Sequence, residues 1–148
     1  MYTYPYPRPM VTADMVVLNP DRKAVLLVQR GREPYKGCWA LPGGFFDMDD
    51  LSTEQTALRE LQEETGLSGV EDVQLLTVAS APGRDPRGRT LSVVYTAVAV
   101  AGQHVSGGDD AREARWWPLE ALPPLAFDHD ELVHLALQRL LSPSDTVE

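Results

Sequence analysis

Cysteine is almost absent from this chain of 148 residues: Cys38 stands alone. It can form no intramolecular disulfide, and a metal site built from cysteines is excluded. That usage fits a cytosolic protein, and a cytoplasmic location is the expectation. Histidine is nearly as sparse. His104, His129 and His134 form no ligand set, so a zinc site of nitrogen and sulfur donors is not expected. Basic residues are few, 13 against 22 acidic ones, and the formal net charge is −9. A surface that acidic repels phosphate backbones, so no nucleic-acid partner is expected. A phosphorylated small molecule stays open, because a bound metal can invert the local charge. Long apolar runs are missing too. The longest, Leu91 to Ala101, carries Ser92 and Thr96 and is too short for a bilayer. Met1 to Pro9 has no apolar core of a secretory leader, so no membrane association is expected.

What is present suits a single domain over residues 1–148, with 43% apolar residues to build a core. No internal repeat or low-complexity linker interrupts it. The prolines gather on connections: Pro5, Pro7 and Pro9 near the start, Pro118, Pro123 and Pro124 near the end. Residues 11–18 and 24–30 are β-rich runs separated by the turn signal Asn19-Pro20-Asp21, which predicts an antiparallel pair. Residues 31–44 read as a loop with a short strand around Trp39-Ala40-Leu41. Residues 72–80 and 90–101 predict two more strands, joined by the polar stretch Pro82 to Arg89, and 113–117 a short one before Pro118. One helix is expected from about Thr53 to Thr65, capped by Ser52 and Gln55 and stopped by Gly66. A second is expected from about Asp128 to Leu141, with Leu132, Leu135, Ala136 and Leu140 at helical spacing. This order argues for a mixed sheet covered by helices, an α/β (α+β) fold.

The first helix carries the informative residues. Ala57, Leu58, Leu61 and Thr65 form one face, expected to pack on the sheet. Thr56, Glu60, Glu63, Glu64 and Leu67 form another. Glu60 lies three residues from Glu63 and four from Glu64, so three like charges crowd together. Two readings stand at this point: a solvated acidic face, or a carboxylate cluster for a hard cation such as Mg²⁺ or Mn²⁺.

The loop upstream favours the second. Leu41-Pro42-Gly43-Gly44 precedes the helix, and its glycines let backbone approach a ligand closely. Together the two segments resemble the Nudix box, G-x5-E-x7-R-E-U-x-E-E-x-G-U with U a bulky aliphatic residue. Gly44, Arg59, Glu60, Leu61, Glu63, Glu64, Gly66 and Leu67 match it, so the box covers residues 44–67. The chain departs from the pattern at Asp50, which stands where the box has Glu, and the distance from Asp50 to Arg59 is one residue longer. In the family that Glu mainly pairs with the box Arg; here Asp50 or Asp49 would have to reach Arg59. Residues 29–46, 82–95 and 126–129 resemble the ADP-ribose pyrophosphatase-like branch, and Pro82, fifteen residues beyond Leu67, is a looser marker of it.

The resemblance implies a Nudix-type α/β/α sandwich with a mixed β-sheet and a hydrolase that cleaves a nucleoside diphosphate linked to another moiety, ADP-ribose being the best guess. It assigns Glu60, Glu63 and Glu64 as ligands of Mg²⁺ or Mn²⁺, helped by the Gly43 carbonyl, with Arg59 orienting Glu63. The general base is a box Glu or an acid on a later loop; Asp109, Asp110 and Glu113 are candidates, Glu113 preferred. Arg30, Phe45, Arg84, Arg87 and Arg89 are the substrate-binding candidates, with Phe45 and Tyr35 the stacking guesses. Trp39, Trp116 and Trp117 read as packing residues, and His129 as support for the last helix. The partner is then a small nucleotide, and a homodimer is left open. Oxidised nucleotides, dinucleoside polyphosphates and nucleotide sugars remain alternative substrates. So does a non-catalytic nucleotide-binding protein, although the short polar stretch after Leu141 makes the winged helix of the regulators in that branch not expected here.

Crowded Glu60, Glu63 and Glu64 repel one another until a cation joins them, and a ligand of the native state raises its stability. Millimolar Mg²⁺ or Mn²⁺ is therefore expected to raise the melting temperature. A melt indifferent to both would refute a cation site on this helix.

Overall fold

A computed structural model describes residues 3–108 and 111–141. The strands are β1 (Met10–Leu18), β2 (Ala24–Arg30), β3 (Trp39–Ala40), β4 (Gly43–Phe45), β5 (Val70–Ala79), β6 (Thr90–Ala99) and β7 (Ala111–Pro118). The helices are α1 (Thr53–Thr65) and α2 (His129–Leu140). No helix among the described residues is long and apolar enough to cross a membrane.

β1 organises the sheet. It runs parallel to β6 from Met10 opposite Thr90 to Leu18 opposite Val98, and antiparallel to β4 and β2. The order is β3-β2-β1-β6-β5, with β7 on β2. A strand covered on both faces needs a near-continuous apolar run, and VTADMVVL supplies it except at Thr12 and Asp14. Its alternate side chains feed two cores. Ala13, Met15 and Val17 meet Ala57 and Leu61 of α1, while Val16 and Leu18 meet Leu132, Val133 and Ala136 of α2. The result is the expected α/β/α sandwich on a mixed sheet.

Local chemistry sets the boundaries. Asn19 Oδ1 accepts from the Lys23 and Ala24 backbone N–H groups, closing the β1–β2 turn. Ser52 caps α1 by accepting from Gln55 N–H at 3.0 Å, and Gly66, at φ 78°, ends it by donating to the Gln62 carbonyl. Two expectations change. The single short strand around residues 39–41 is two, β3 and β4, because Pro42 breaks the run between them. Leu67 does not share the acidic face: it lies beyond Gly66 and is buried in the α1 core, as is Thr56.

Candidate active site

The two glycines of β4 have a carboxylate on either side, Asp14 from β1 and Glu60 from α1. In their pairing Gly43 lies opposite Asp14 and Gly44 opposite Ala13, so the glycines face opposite sides of the sheet. A Cβ on Gly44 would come within 2.5–2.9 Å of the Glu60 carboxylate. A Cβ on Gly43 would come within 2.1 Å of Asp14 Oδ1 and 2.4 Å of the Ala13 carbonyl. The Gly43 N–H donates to Glu64 Oε1 at 3.0 Å, tying the strand to the helix.

On α1 a single guanidinium organises the acids. Asp50 accepts from Arg59 Nε and Nη2, both at 2.9 Å, a two-toothed pair. The other nitrogen, Nη1, donates to Glu60 Oε2 at 3.0 Å and Glu63 Oε1 at 3.2 Å. Asp50 also accepts from the Asp47 N–H and the Thr56 hydroxyl. The pairing that the box Glu would make is thus made by Asp50, not Asp49. The Arg59 hydrogen bonds hold the Asp50 carboxyl well below the usual carboxylate range, and Asp50 holds the Arg59 guanidinium above its own.

The acidic face is less open than a solvated stripe would be. Glu64 is buried, and the Glu63 side chain is 44% exposed. Among the described residues no three acidic, His or Cys side chains already converge as a metal cage. The donor chemistry nevertheless fits Mg²⁺ or Mn²⁺: all donors are oxygen, Gly44 leaves room for the Glu60 carboxylate, and the Arg59 cation already sits between Glu60 and Glu63.

A cavity of about 400 Å³ opens beside this cluster and wraps past β4 to the α2 side of the sheet. It brings together the expected residues Gly43, Gly44, Phe45, Glu60, Glu64 and Arg59. Arg30, Arg84 and Arg87 line it too, in different states. Arg84 is spent on Asp128, 2.8 and 2.9 Å through Nη2 and Nε, and its side chain is 5% exposed. This is an anchor between the 82–89 loop and α2, not a free phosphate ligand. It also occupies the carboxylate that would cap α2, so Asp128 makes no side-chain cap bond. Arg87 pairs with Asp85 and lies 5.0 Å over the Phe45 ring and 5.7 Å over that of Phe127. Burial opposes ionisation of Asp85, but the Arg87 hydrogen bonds prevail and keep its carboxyl below the usual range. Arg30 donates to the Pro34 carbonyl at 2.7 Å and lies over Phe127.

Other candidates fall outside the cavity wall. Glu63 points outward from α1 toward Arg59. Arg89 donates to the Ser80 carbonyl at 3.2 Å. Glu113 is exposed on β7 opposite Gln29, because strand alternation turns it away from buried Ala114. Tyr35 packs edge-on against Phe127 at 4.8 Å. Asp109 and Asp110 lie outside the described residues.

Among the lining residues that escaped the sequence reading in this role are Asp14, Phe127 and His129. Asp14 is 7% exposed and bonded to the Ser92 hydroxyl, and burial pushes its carboxyl up. An aspartate inside a doubly covered strand was the available signal. Phe127 holds a positive φ of 55° and shows its ring to the cavity. His129 does more than support α2. Its Nδ1 accepts from the Leu41 N–H at 3.0 Å, joining the helix start to the β3–β4 connection, and burial lowers its proton affinity.

The two glycines separate stability from function. Gly43→Ala meets backbone and is expected to cost about 1–3 kcal/mol of stability. Gly44→Ala meets only the end of the Glu60 side chain. It is expected to stay within about 1 kcal/mol of wild type yet weaken Mn²⁺ binding at least about tenfold. Denaturant melts and Mn²⁺ titration check both. Equal stability losses without a change in metal affinity would refute the assignment.

Comparison with known proteins agrees with this geometry. The NUDIX domain model matches residues 8–136. The chain is 43% identical over 129 residues to an ADP-ribose pyrophosphatase of Methanocaldococcus jannaschii, covering 86% of this chain and 73% of that protein. It is 37% identical to the ADPR responsive transcriptional repressor NtrR of Acinetobacter baylyi, covering 91% of this chain but only 56% of the repressor. Among solved structures, the NUDIX domain of Shewanella oneidensis NrtR complexed with ADP ribose superposes with a TM-score of 0.84 at 38% identity, covering 91% of this chain and 90% of that one. With a box helix, its guanidinium clamp and a family match over most of its length, the chain belongs to the NUDIX domain family.

Proposed function

We propose that the protein hydrolyses ADP-ribose to AMP and ribose 5-phosphate, using Mg²⁺ or Mn²⁺ held by Glu60, Glu63 and Glu64 with the Gly43 carbonyl. The observation that carries this reading is one continuous cavity. It joins box carboxylates at one end to an aromatic, polar recess at the other, with arginines between. The 43% identity to an ADP-ribose pyrophosphatase supports the choice of substrate. When bound, the divalent metal supplies charge neutralisation at the diphosphate and a water of lowered pKa.

The chain's own residues do the rest. Arg59, fixed by Asp50, sets the positions of Glu60 and Glu63. Glu64 is held by the Gly43 N–H, so one carboxylate is oriented before substrate arrives. Arg87, at the edge of the cavity, meets substrate oxygens, while Arg84 holds the loop that presents it. Of the candidate bases described, Glu113 faces solvent away from the cavity, so proton removal from the attacking water falls to a box carboxylate.

The test is a kinetic panel of ADP-ribose, nucleoside triphosphates and a dinucleoside polyphosphate, with each metal in turn. ADP-ribose is expected to give the highest kcat/KM. Glu60→Gln and Glu64→Gln are each expected to lose at least about a hundredfold in hydrolysis. Arg87→Ala is expected to raise KM more than it lowers kcat. A tenfold preference for a triphosphate would overturn the substrate. Tight ADP-ribose binding without turnover would favour the sensor role of the repressor relative.

A further inference from the structure

On the α2 side of the cavity, two ionisable side chains that the phosphate chemistry does not use share one recess. Asp14 interrupts the apolar run of β1 and is 7% exposed. Its Oδ2 accepts from the Ser92 hydroxyl of β6. Its Oδ1 takes no hydrogen bond among the described residues and lies against Gly43, whose missing side chain leaves it room beside the cavity. Arg84 does not neutralise it by contact, because Asp128 takes that guanidinium at both Nε and Nη2.

His129 is 5% exposed and lines the same recess. Its Nδ1 accepts from the Leu41 N–H, which leaves the ring proton on Nε2. No hydrogen bond among the described residues engages Nε2. Phe127 completes the recess, its ring centroid 5.3 Å from that of His129, and the chain tolerates a left-handed φ of 55° to place it there.

These features select a ligand chemistry. Asp14 is acidic, and nearby Arg84 is already paired with Asp128, so this end suits a neutral group better than the diphosphate. An acceptor and a neutral N–H donor in one recess match a group that offers a donor beside an acceptor. An aromatic wall favours that group being flat. The edge of adenine, with its amino group next to a ring nitrogen, meets all three conditions. Resting on the adenine-nucleotide reading above, we propose that Asp14, His129 and Phe127 form the subsite that reads the substrate's purine edge. In it Asp14 accepts from the 6-amino group, His129 donates to a ring nitrogen, and Phe127 flanks the base.

Hypoxanthine is the discriminating probe, because a carbonyl oxygen replaces the amino group and would face the Asp14 carboxylate. Wild-type kcat/KM for ADP-ribose is expected to exceed that for IDP-ribose at least about tenfold, carried mainly in KM, since a mismatched buried polar group goes unpaired. Asp14→Asn, nearly the same size, can turn an amide N–H toward the carbonyl. It is expected to erase or invert the preference while changing kcat for ADP-ribose less than KM. Ser92→Ala keeps the carboxylate but frees Oδ2. It is expected to reduce the preference, and serves if the Asp14 variant melts too low to assay.

A merely structural Asp14 would lower the melting temperature and affect both substrates equally, leaving their ratio intact. That result would overturn the subsite. So would a wild type that cleaves both at the same kcat/KM, or one whose discrimination falls instead on analogues lacking a ribose hydroxyl. In each of those cases ADP-ribose hydrolysis would stand. A wild type that does not cleave ADP-ribose would overturn both readings.

Discussion

Arg59 holds three carboxylates at once, and the rest of the acidic site takes its shape from that. Asp50 claims Nε and Nη2, which fixes the plane of the guanidinium and leaves Nη1 for Glu60 and Glu63. Without Asp50, Glu60 and Glu63 would share a cation free to rotate. Asp50 is itself bracketed by the Asp47 N–H and the Thr56 hydroxyl, so the loop before α1 and the helix are fastened at one point. Because Thr56 is buried on the sheet side of α1, this fastening is continuous with the core that Ala57 and Leu61 build on β1.

The second constraint is space on β4. Adjacent glycines face opposite sides of the sheet, and each leaves room for one carboxylate: Gly44 for Glu60 toward α1, Gly43 for Asp14 toward α2. A cavity can therefore pass from one helix to the other around a narrow strand. The Arg84–Asp128 pair and the His129–Leu41 hydrogen bond then hold the far wall, linking the 82–89 loop, α2 and the β3–β4 connection. Buried pairs of this kind contribute less to net stability than to position, since desolvation offsets their attraction.

What could be read from sequence followed the strength of local signals. The α1 limits, Thr53 to Thr65, come from a serine cap and a glycine stop, both independent of tertiary context, and both form. Helical spacing alone crowds the box glutamates but leaves a solvated acidic face as an equal reading; the resemblance of residues 44–67 to the box is what favours a cation site. The Asp50–Arg59 contact was left between Asp49 and Asp50, because a loop insertion has no period and only the folded backbone decides which side chain arrives. Arg84 looked like a phosphate ligand because sequence shows a cation and not its partner, and Asp128 is 44 residues away. Glu113 looked like a base for the same reason: its strand was expected, but not which face the sheet would give it. Asp14 escaped the sequence reading because its meaning depends on Gly43 lying opposite it across the β1–β4 ladder.

The proposed cation site depends on Asp50 positioning the glutamates through Arg59. Mn²⁺ affinity, followed by electron paramagnetic resonance in wild type and Asp50→Asn, tests it without reliance on any substrate. The substitution keeps side-chain size and removes the charge that holds the guanidinium. Affinity is expected to fall at least about tenfold, as loss of a residue supporting metal ligands should, with the fold retained by circular dichroism. Unchanged Mn²⁺ affinity in a folded Asp50→Asn protein would contradict it.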